Sequence, residues 1–235
     1  MSCDLASYLD VALLKPELTQ EEAVRIMHEL SGYKPCSFCM KPSDIFLAKP
    51  ICNEHRIGLG VVLGFPHGHQ LPESKADEAK RYVGSGVDEI DMVCNISAVR
   101  SGNWDTVLRD IRAVSAITRP AGVLLKVIFE TCFLNREEIV KLVDVSIEAQ
   151  ADFVKTSTGF NGEGAQDEHV KLMLETANHR IQVKPSGGIS SKERGESLIT
   201  MGATRLGVGF SSVPELCGEK TMEGPFSTVR PDSEY

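Results

Sequence analysis

Phe153-Val154-Lys155-Thr156 is a short apolar, β-branched run with a lysine inside it. Leu124-Leu125-Lys126-Val127-Ile128 and Ile181-Gln182-Val183-Lys184 repeat the pattern, and the three lysines recur every 29 residues. Runs of this length and composition read as strands. A helix pattern separates each pair, at 136–149 and 166–177, so the repeat is a βα unit. The same alternation continues outward. Strand candidates fall at 9–14, 36–40, 59–65, 89–94, 124–129, 153–156, 181–184 and 205–209. Helix candidates lie at 20–31, 43–54, 73–83, 104–118 and 191–201, besides the two already named. Thr19 with Glu22, and Ser190 with Glu193, resemble capping boxes. Many strand runs are apolar on both faces, as strands covered by helices should be.

Eight such units with right-handed crossovers predict an α/β fold, a single-domain (β/α)8 TIM barrel over 1–218. The rival is an open doubly wound sheet. It needs fewer strands, and no GxGxxG follows the first strand. Pro and Gly punctuate the elements and form no linker. Residues 219–235, with Pro225 and Pro231 and little periodicity, read as a flexible C-terminal tail ending in Tyr235.

Composition narrows the function. Of 235 residues, 42% are hydrophobic and 25% charged, which is ordinary for a globular chain. The net charge of -8 argues against a nucleic-acid partner. No apolar run is long enough to span a bilayer, so no membrane partner is expected. Met1-Ser2-Cys3-Asp4 lacks the regions of a signal peptide. The seven cysteines, scattered and odd in number, suit free thiols in a cytoplasmic protein.

Charges inside strands are the informative oddity. Lys126, Lys155 and Lys184 fall on successive strands, which predicts three amines at similar heights, and Asp91 lies on the strand before. Buried lysine is rare unless paired or functional. The bland alternative is that each lysine faces outward and snorkels between helices. Three in succession, with an aspartate beside them, favour a common interior site. Clustered lysines suggest amine chemistry. A neighbouring ammonium or desolvation lowers a lysine pKa and frees its lone pair to form a Schiff base with a carbonyl. An aspartate alongside can move the protons. No metal and no cofactor are called for. A second constellation, Ser186-Gly187-Gly188 and Gly207-Val208-Gly209, follows strands seven and eight, where barrels commonly bind phosphate. The bland reading is that these glycines make tight turns.

The chain resembles the deoxyribose-phosphate aldolases, a class I, Schiff-base family. The resemblance rests on Leu9-Asp10 with Leu13-Leu14-Lys15-Pro16, Gly64-Phe65-Pro66-His67-Gly68, Asp88-Glu89-Ile90-Asp91-Met92-Val93, Leu124-Leu125-Lys126-Val127-Ile128 with Glu130-Thr131, Ala151-Asp152-Phe153-Val154-Lys155-Thr156-Ser157-Thr158-Gly159, and Val183-Lys184 with Ser186-Gly187-Gly188. It implies reversible cleavage of 2-deoxy-D-ribose 5-phosphate to D-glyceraldehyde 3-phosphate and acetaldehyde. It implies that Lys155 carries the imine, Lys184 perturbs it and Asp91 relays protons. Asp10 and Lys126 would support them. Gly159, Gly187, Gly188 and Gly207 would line the phosphate site, and Tyr235 would reach in from the tail to move a proton at the methyl carbon. It also implies a sugar-phosphate ligand and a homo-oligomer, dimer or tetramer. After strand eight the family commonly reads Gly, a small residue, then Ser-Ser or Ser-Gly. Gly207-Val208-Gly209-Phe210-Ser211-Ser212 departs from this. Either two residues are inserted, or Gly209 and Phe210 replace the phosphate-facing pair.

Two further motifs take bland readings. Cys36-Ser37-Phe38-Cys39 has no second CxxC to make a zinc site, and its cysteines read as small core residues. His67-Gly68-His69 lacks a carboxylate partner and reads as loop. Other classes left open are a related Schiff-base lyase or transaldolase-like enzyme on another sugar phosphate, and a non-catalytic sugar-phosphate-binding barrel.

Overall fold

The computed structural model describes residues 5–218; the tail and Tyr235 lie outside them. Eight parallel strands form the sheet: β1 (Leu9–Leu13), β2 (Ser37–Met40), β3 (Gly58–Leu63), β4 (Glu89–Val93), β5 (Leu124–Ile128), β6 (Phe153–Lys155), β7 (Gln182–Lys184) and β8 (Leu206–Gly209). Their order is β7-β6-β5-β4-β3-β2-β1-β8. The ends meet through a parallel bridge between Ser186 and Gly207. Thr204 N donates to Val183 O at 3.3 Å and Gly207 N to Pro185 O at 2.8 Å, so the barrel closes. The open-sheet rival is excluded.

The helices are α1 (Gln20–Ser31), α2 (Ile45–His55), α3 (Pro72–Gly84), α4 (Ile96–Arg100), α5 (Trp104–Thr118), α6 (Arg136–Glu148), α7 (Asp167–Ala177), α8 (Lys192–Met201) and α9 (Val213–Leu216). The short α4 and α9 were not expected. Thr19 and Glu22 form the predicted capping box on α1. The second box is corrected: Ser191, not Ser190, caps α8, and its hydroxyl accepts from Arg194 N. A box that was not anticipated joins Asn135 and Glu138 at the start of α6.

Strand alternation sorts the side chains. Leu9, Val11, Leu13, Phe38, Met40, Leu59, Val61, Ile90, Met92, Leu125, Val127, Val154, Val183, Leu206 and Val208 point outward into one apolar core shared with the helices. The expectation of strands apolar on both faces holds only in part: by register Val62, Val93, Ile128 and Phe153 point inward, but polar groups share that face. The inward positions include Asp10, Ser37, Glu89, Asp91, Lys126, Lys155 and Lys184, all buried. Only Leu14, Cys39 and Val62, with Ala12, Phe65 and Phe160 beside them, form a separate apolar cluster.

Candidate active site

Register places the lysines. Lys155 on β6 stands opposite Lys184 on β7. Lys126 on β5 pairs with Phe153, and on its other side with Asp91 on β4. The expectation of three lysines at one height is therefore corrected: Lys126 sits one inward layer, two residues, below the other two. Parallel partners point to the same side of a sheet, so all four groups face the lumen.

Asp91 is the hub. Its Oδ2 accepts from Lys155 Nζ and from Lys184 Nζ, each at 2.8 Å. Its Oδ1 lies 3.1 Å from Lys126 Nζ, an ion-pair contact without hydrogen-bond alignment, and accepts no hydrogen bond. Asp10 is the second hub. It takes Lys126 Nζ at 2.8 Å, Lys184 Nζ at 2.5 Å and the Ser37 hydroxyl at 2.8 Å. Arg205 also reaches Asp10 and forks onto Glu89, which in turn holds Lys126. Lys155 thus meets one carboxylate, Lys184 two and Lys126 three.

These pairs set the protonation states. Burial pushes the Asp91 carboxyl up, but Lys126, Lys155 and Lys184 together hold it well below the usual carboxylate range. Asp10 is lowered in the same way, against burial, by Lys126, Lys184 and Arg205. Burial favours the neutral Lys155 amine, yet the Asp91 carboxylate outweighs it and raises Lys155 above the ordinary lysine value. A neighbouring lysine therefore does not by itself free Lys155. Asp91 stands between the two amines and holds both.

Residues beyond the expected set complete the site. Arg205 and Glu89 escaped the sequence reading, although Glu89 and Asp91 share one face of β4 by simple alternation. Glu130 is buried just after β5. It accepts Thr158 N at 3.1 Å, the Thr158 hydroxyl and Asn161 Nδ2 at 3.0 Å, fixing the loop that follows Lys155. Thr156 and Ser186 exchange bonds between the ends of β6 and β7, with Ser186 N donating to Thr156 Oγ1 at 2.9 Å. Above the amines, Phe65 and Phe160 meet edge to face at 5.1 Å and close one side of the mouth.

The glycine constellation divides. Gly159 and Gly188 have positive φ and open space where a side chain would sit. Gly187 packs its backbone against Gly164. Gly207 is placed differently from expectation. Its N–H is taken by Pro185 O, and a Cβ there would stand 2.6 Å from Ser186 Cβ and 3.2 Å from Lys184 Cε. A side chain there would run into Ser186 and crowd Lys184, and the Gly207 N–H is already bonded within the barrel. β8 runs in unbroken register with β1 through Gly209, opposite Ala12. Phe210 turns into the core at 3% exposure. Cys36 and Cys39 are free thiols, and Cys39 is pushed by burial to about 11. Among the described residues no group of side chains is placed to hold a metal ion, and His67 and His69 are exposed loop residues.

The profile of the DeoC/LacD family aldolases matches residues 8–211. The chain belongs to that family. It is therefore an aldolase, and lysine Schiff-base chemistry is general to the family. The aldolase is 43% identical over 205 residues to the deoxyribose-phosphate aldolase of Exiguobacterium sp., covering 87% of this chain and 92% of that one. It is 40% identical over 206 residues to the deoxyribose-phosphate aldolase of Thermococcus gammatolerans, covering 87% and 92%. Among solved structures it superposes on an aldolase called QR15 with a TM-score of 0.84 at 38% identity, covering 89% and 93%. The deoxyribose-phosphate aldolase of Aeropyrum pernix, described as a unique tetramer, matches with a TM-score of 0.84 at 29% identity, covering 92% of each chain.

Proposed function

We propose that this aldolase cleaves 2-deoxy-D-ribose 5-phosphate to D-glyceraldehyde 3-phosphate and acetaldehyde, and runs the reverse addition, with the imine on Lys155. The observation that carries the assignment is the single-carboxylate environment of Lys155. It is the lysine with the fewest anions to break from, at the mouth end of the cluster, and Asp91 Oδ2 at 2.8 Å is placed to take its proton. Lys126 is locked among three carboxylates a layer below, too encumbered to attack.

In this reading the freed Lys155 amine attacks the C1 aldehyde carbon of the open-chain sugar. Asp91 passes a proton to the carbinolamine hydroxyl, which leaves as water. The iminium then draws the C2–C3 bonding pair, the C3 hydroxyl gives its proton to the Asp91 carboxylate, directly or through water, and glyceraldehyde 3-phosphate departs. The enamine takes a proton at C2. Water adds to the resulting imine and releases acetaldehyde and the amine. Lys184, bonded to the same Asp91 oxygen, limits how strongly that carboxylate holds Lys155. Asp10 and Lys126 support the pair from below. The apolar cluster at Cys39, Val62 and Phe65 suits a C2 that carries no hydroxyl. Gly159, Gly187 and Gly188 are the backbone positions proposed to meet the phosphate, and Tyr235 is proposed to protonate C2. A homo-oligomer is proposed on the strength of the tetrameric relative. A cytoplasmic location is proposed because the six described cysteines are all free thiols; no described helix is long and apolar enough to cross a membrane.

Release of acetaldehyde from deoxyribose 5-phosphate and from deoxyribose, assayed side by side, tests the substrate. Turnover of the phosphate ester with a strong preference over the free sugar is expected. Turnover of neither, with imine formation intact, would transfer the site to a related Schiff-base lyase.

A further inference from the structure

The lumen holds four cations and three carboxylates. Lys126, Lys155, Lys184 and Arg205 face Asp10, Glu89 and Asp91. All but Arg205 are at most 4% exposed, and the Arg205 side chain is 11% exposed. Fully protonated, the cluster carries one surplus positive charge. Uncompensated buried charge is expensive. The cheapest relief is to release one proton from a cation. A guanidinium does not release its proton in a protein, whereas a buried lysine can.

We propose that Arg205 is a positioning residue of the aldol reaction: it is the permanent fourth cation, and it makes the lumen one proton too rich, so that Lys155 gives up its proton for attack. The inference rests on Lys155 as the imine lysine. Arg205 acts at a distance, because its guanidinium touches Asp10 and Glu89 and not Lys155. It lies over the Phe153 ring at 5.7 Å, which fixes it at the floor of the lumen. By occupying Asp10 and Glu89 it leaves less carboxylate for Lys126 and Lys184, and these two lean more on Asp91. Asp91 then has less left for Lys155. Asp91 still holds Lys155 above the ordinary lysine value, but of the three lysines Lys155 has the fewest anionic partners, so a weakened Asp91 releases the proton of Lys155 first.

The groups facing Lys155 come from every wall. Asp91 on β4, Cys39 on β2 and Lys126 on β5 act on it directly, Lys184 on β7 shares its Asp91 oxygen, and Asp10 on β1, Glu89 on β4 and Arg205 before β8 act through Lys126 and Lys184. The Cys39 thiol, pushed to about 11, is uncharged near neutrality and leaves the balance unchanged. Glu89 is the opposite lever to Arg205, since it adds an anion to the same floor. Changes at the two positions therefore have opposite signs at Lys155.

The test is the acid limb of the kcat/KM pH profile in four variants, with borohydride trapping of an acetaldehyde imine at Lys155 in the parent as the control. Arg205→Gln should move the limb up by about one pH unit, a roughly tenfold loss below it. Glu89→Gln should move it down by a similar amount. The double variant Glu89→Gln/Arg205→Gln restores the parent's net charge and should return the limb to the parent position. Arg205→Lys keeps the charge and should keep the limb. Two singles that move the same way, or a double that sums the losses, would mean that Arg205 only holds the fold together. If Arg205→Gln does not fold, Glu89→Gln decides alone: a downward limb supports the proposal, and a fixed or upward limb overturns it. No label at Lys155 in the parent would instead remove the imine assignment; a label with unmoved limbs removes only the role of Arg205.

Discussion

The two faces of one sheet obey opposite rules. Outward, β1 to β8 present almost unbroken Leu, Ile, Val, Met and Phe to the helices. Inward, at positions one residue away, they present seven charged or polar groups linked in one network. Barrel interiors are commonly filled with bulky branched residues. Here the jacket does the folding work, and the lumen gives up packing to hold chemistry. Burying an ion pair rarely beats a well-packed apolar replacement. The two faces answer to different selection: substitutions outside should change stability and spare the chemistry, and substitutions inside should act first on the chemistry, with a cost in stability where a shared carboxylate is lost.

The largest effect expected inside is on activity. Lys155→Met should lower kcat by at least about 10³-fold, since the covalent route is gone, while thermal stability falls only slightly, because Asp91 keeps Lys184 and Lys126. A large fall in Tm would show that the lumen is part of the folding core after all. Asp91→Asn comes next, because it removes the charge on the oxygen that Lys155 and Lys184 share and the ion-pair partner of Lys126. It should lose about 10²–10⁴-fold in kcat and also destabilise the chain by about 3–5 kcal/mol. Loss confined to KM would contradict its place as proton carrier.

On the outer face, Leu125→Ala should cost about 2–5 kcal/mol in denaturant unfolding, with the pH profile of the folded fraction unchanged. The jacket contains one exception that sharpens the contrast. Lys75 on α3 and Asp110 on α5 form a pair at 2.6 Å with no exposure, and the two groups bind Val93 O and Asn95 N at the end of β4. Asp110→Ala strands the Lys75 charge in the apolar layer. It is expected to rank with Leu125→Ala in stability and well below Lys155→Met in activity.

The smallest effect is the pH dependence of stability. Asp10 and Asp91 have carboxyls held below their unfolded values. Their contribution is fully present above about pH 4 and is lost as pH falls through the folded values. Lys126 and Lys155 are raised, so theirs is present below about pH 10.4 and is lost above it. Tm should therefore be flat between about pH 5 and 9 on this account, and a maximum confined to one edge would contradict it.

Much of this was legible in the residues. The 29-residue recurrence of lysine in apolar runs marked the barrel, and α1 and α5 fall where their apolar spacing puts them. Lys155, Lys184, Lys126, Asp91 and Asp10 were visible because a charge inside a β-branched run has few innocent explanations. Arg205 and Glu89 were passed over because they open their strands, where charges usually meet solvent. Period-two alternation from Asp91 back to Glu89 was the available signal. Lys75 and Asp110 sit on amphipathic helices, where a charge normally marks the wet face; only the packing of α3 on α5 buries them. The height of Lys126 and the true work of Gly207 depend on strand register, which spacing along the chain does not determine.

The most direct test of the central claim is borohydride reduction in the presence of acetaldehyde, followed by peptide mass analysis. A two-carbon addition is expected on the peptide containing Lys155, absent in Lys155→Ala and present in Lys126→Met. A label on Lys184 or Lys126, or one that persists in Lys155→Ala, would contradict it.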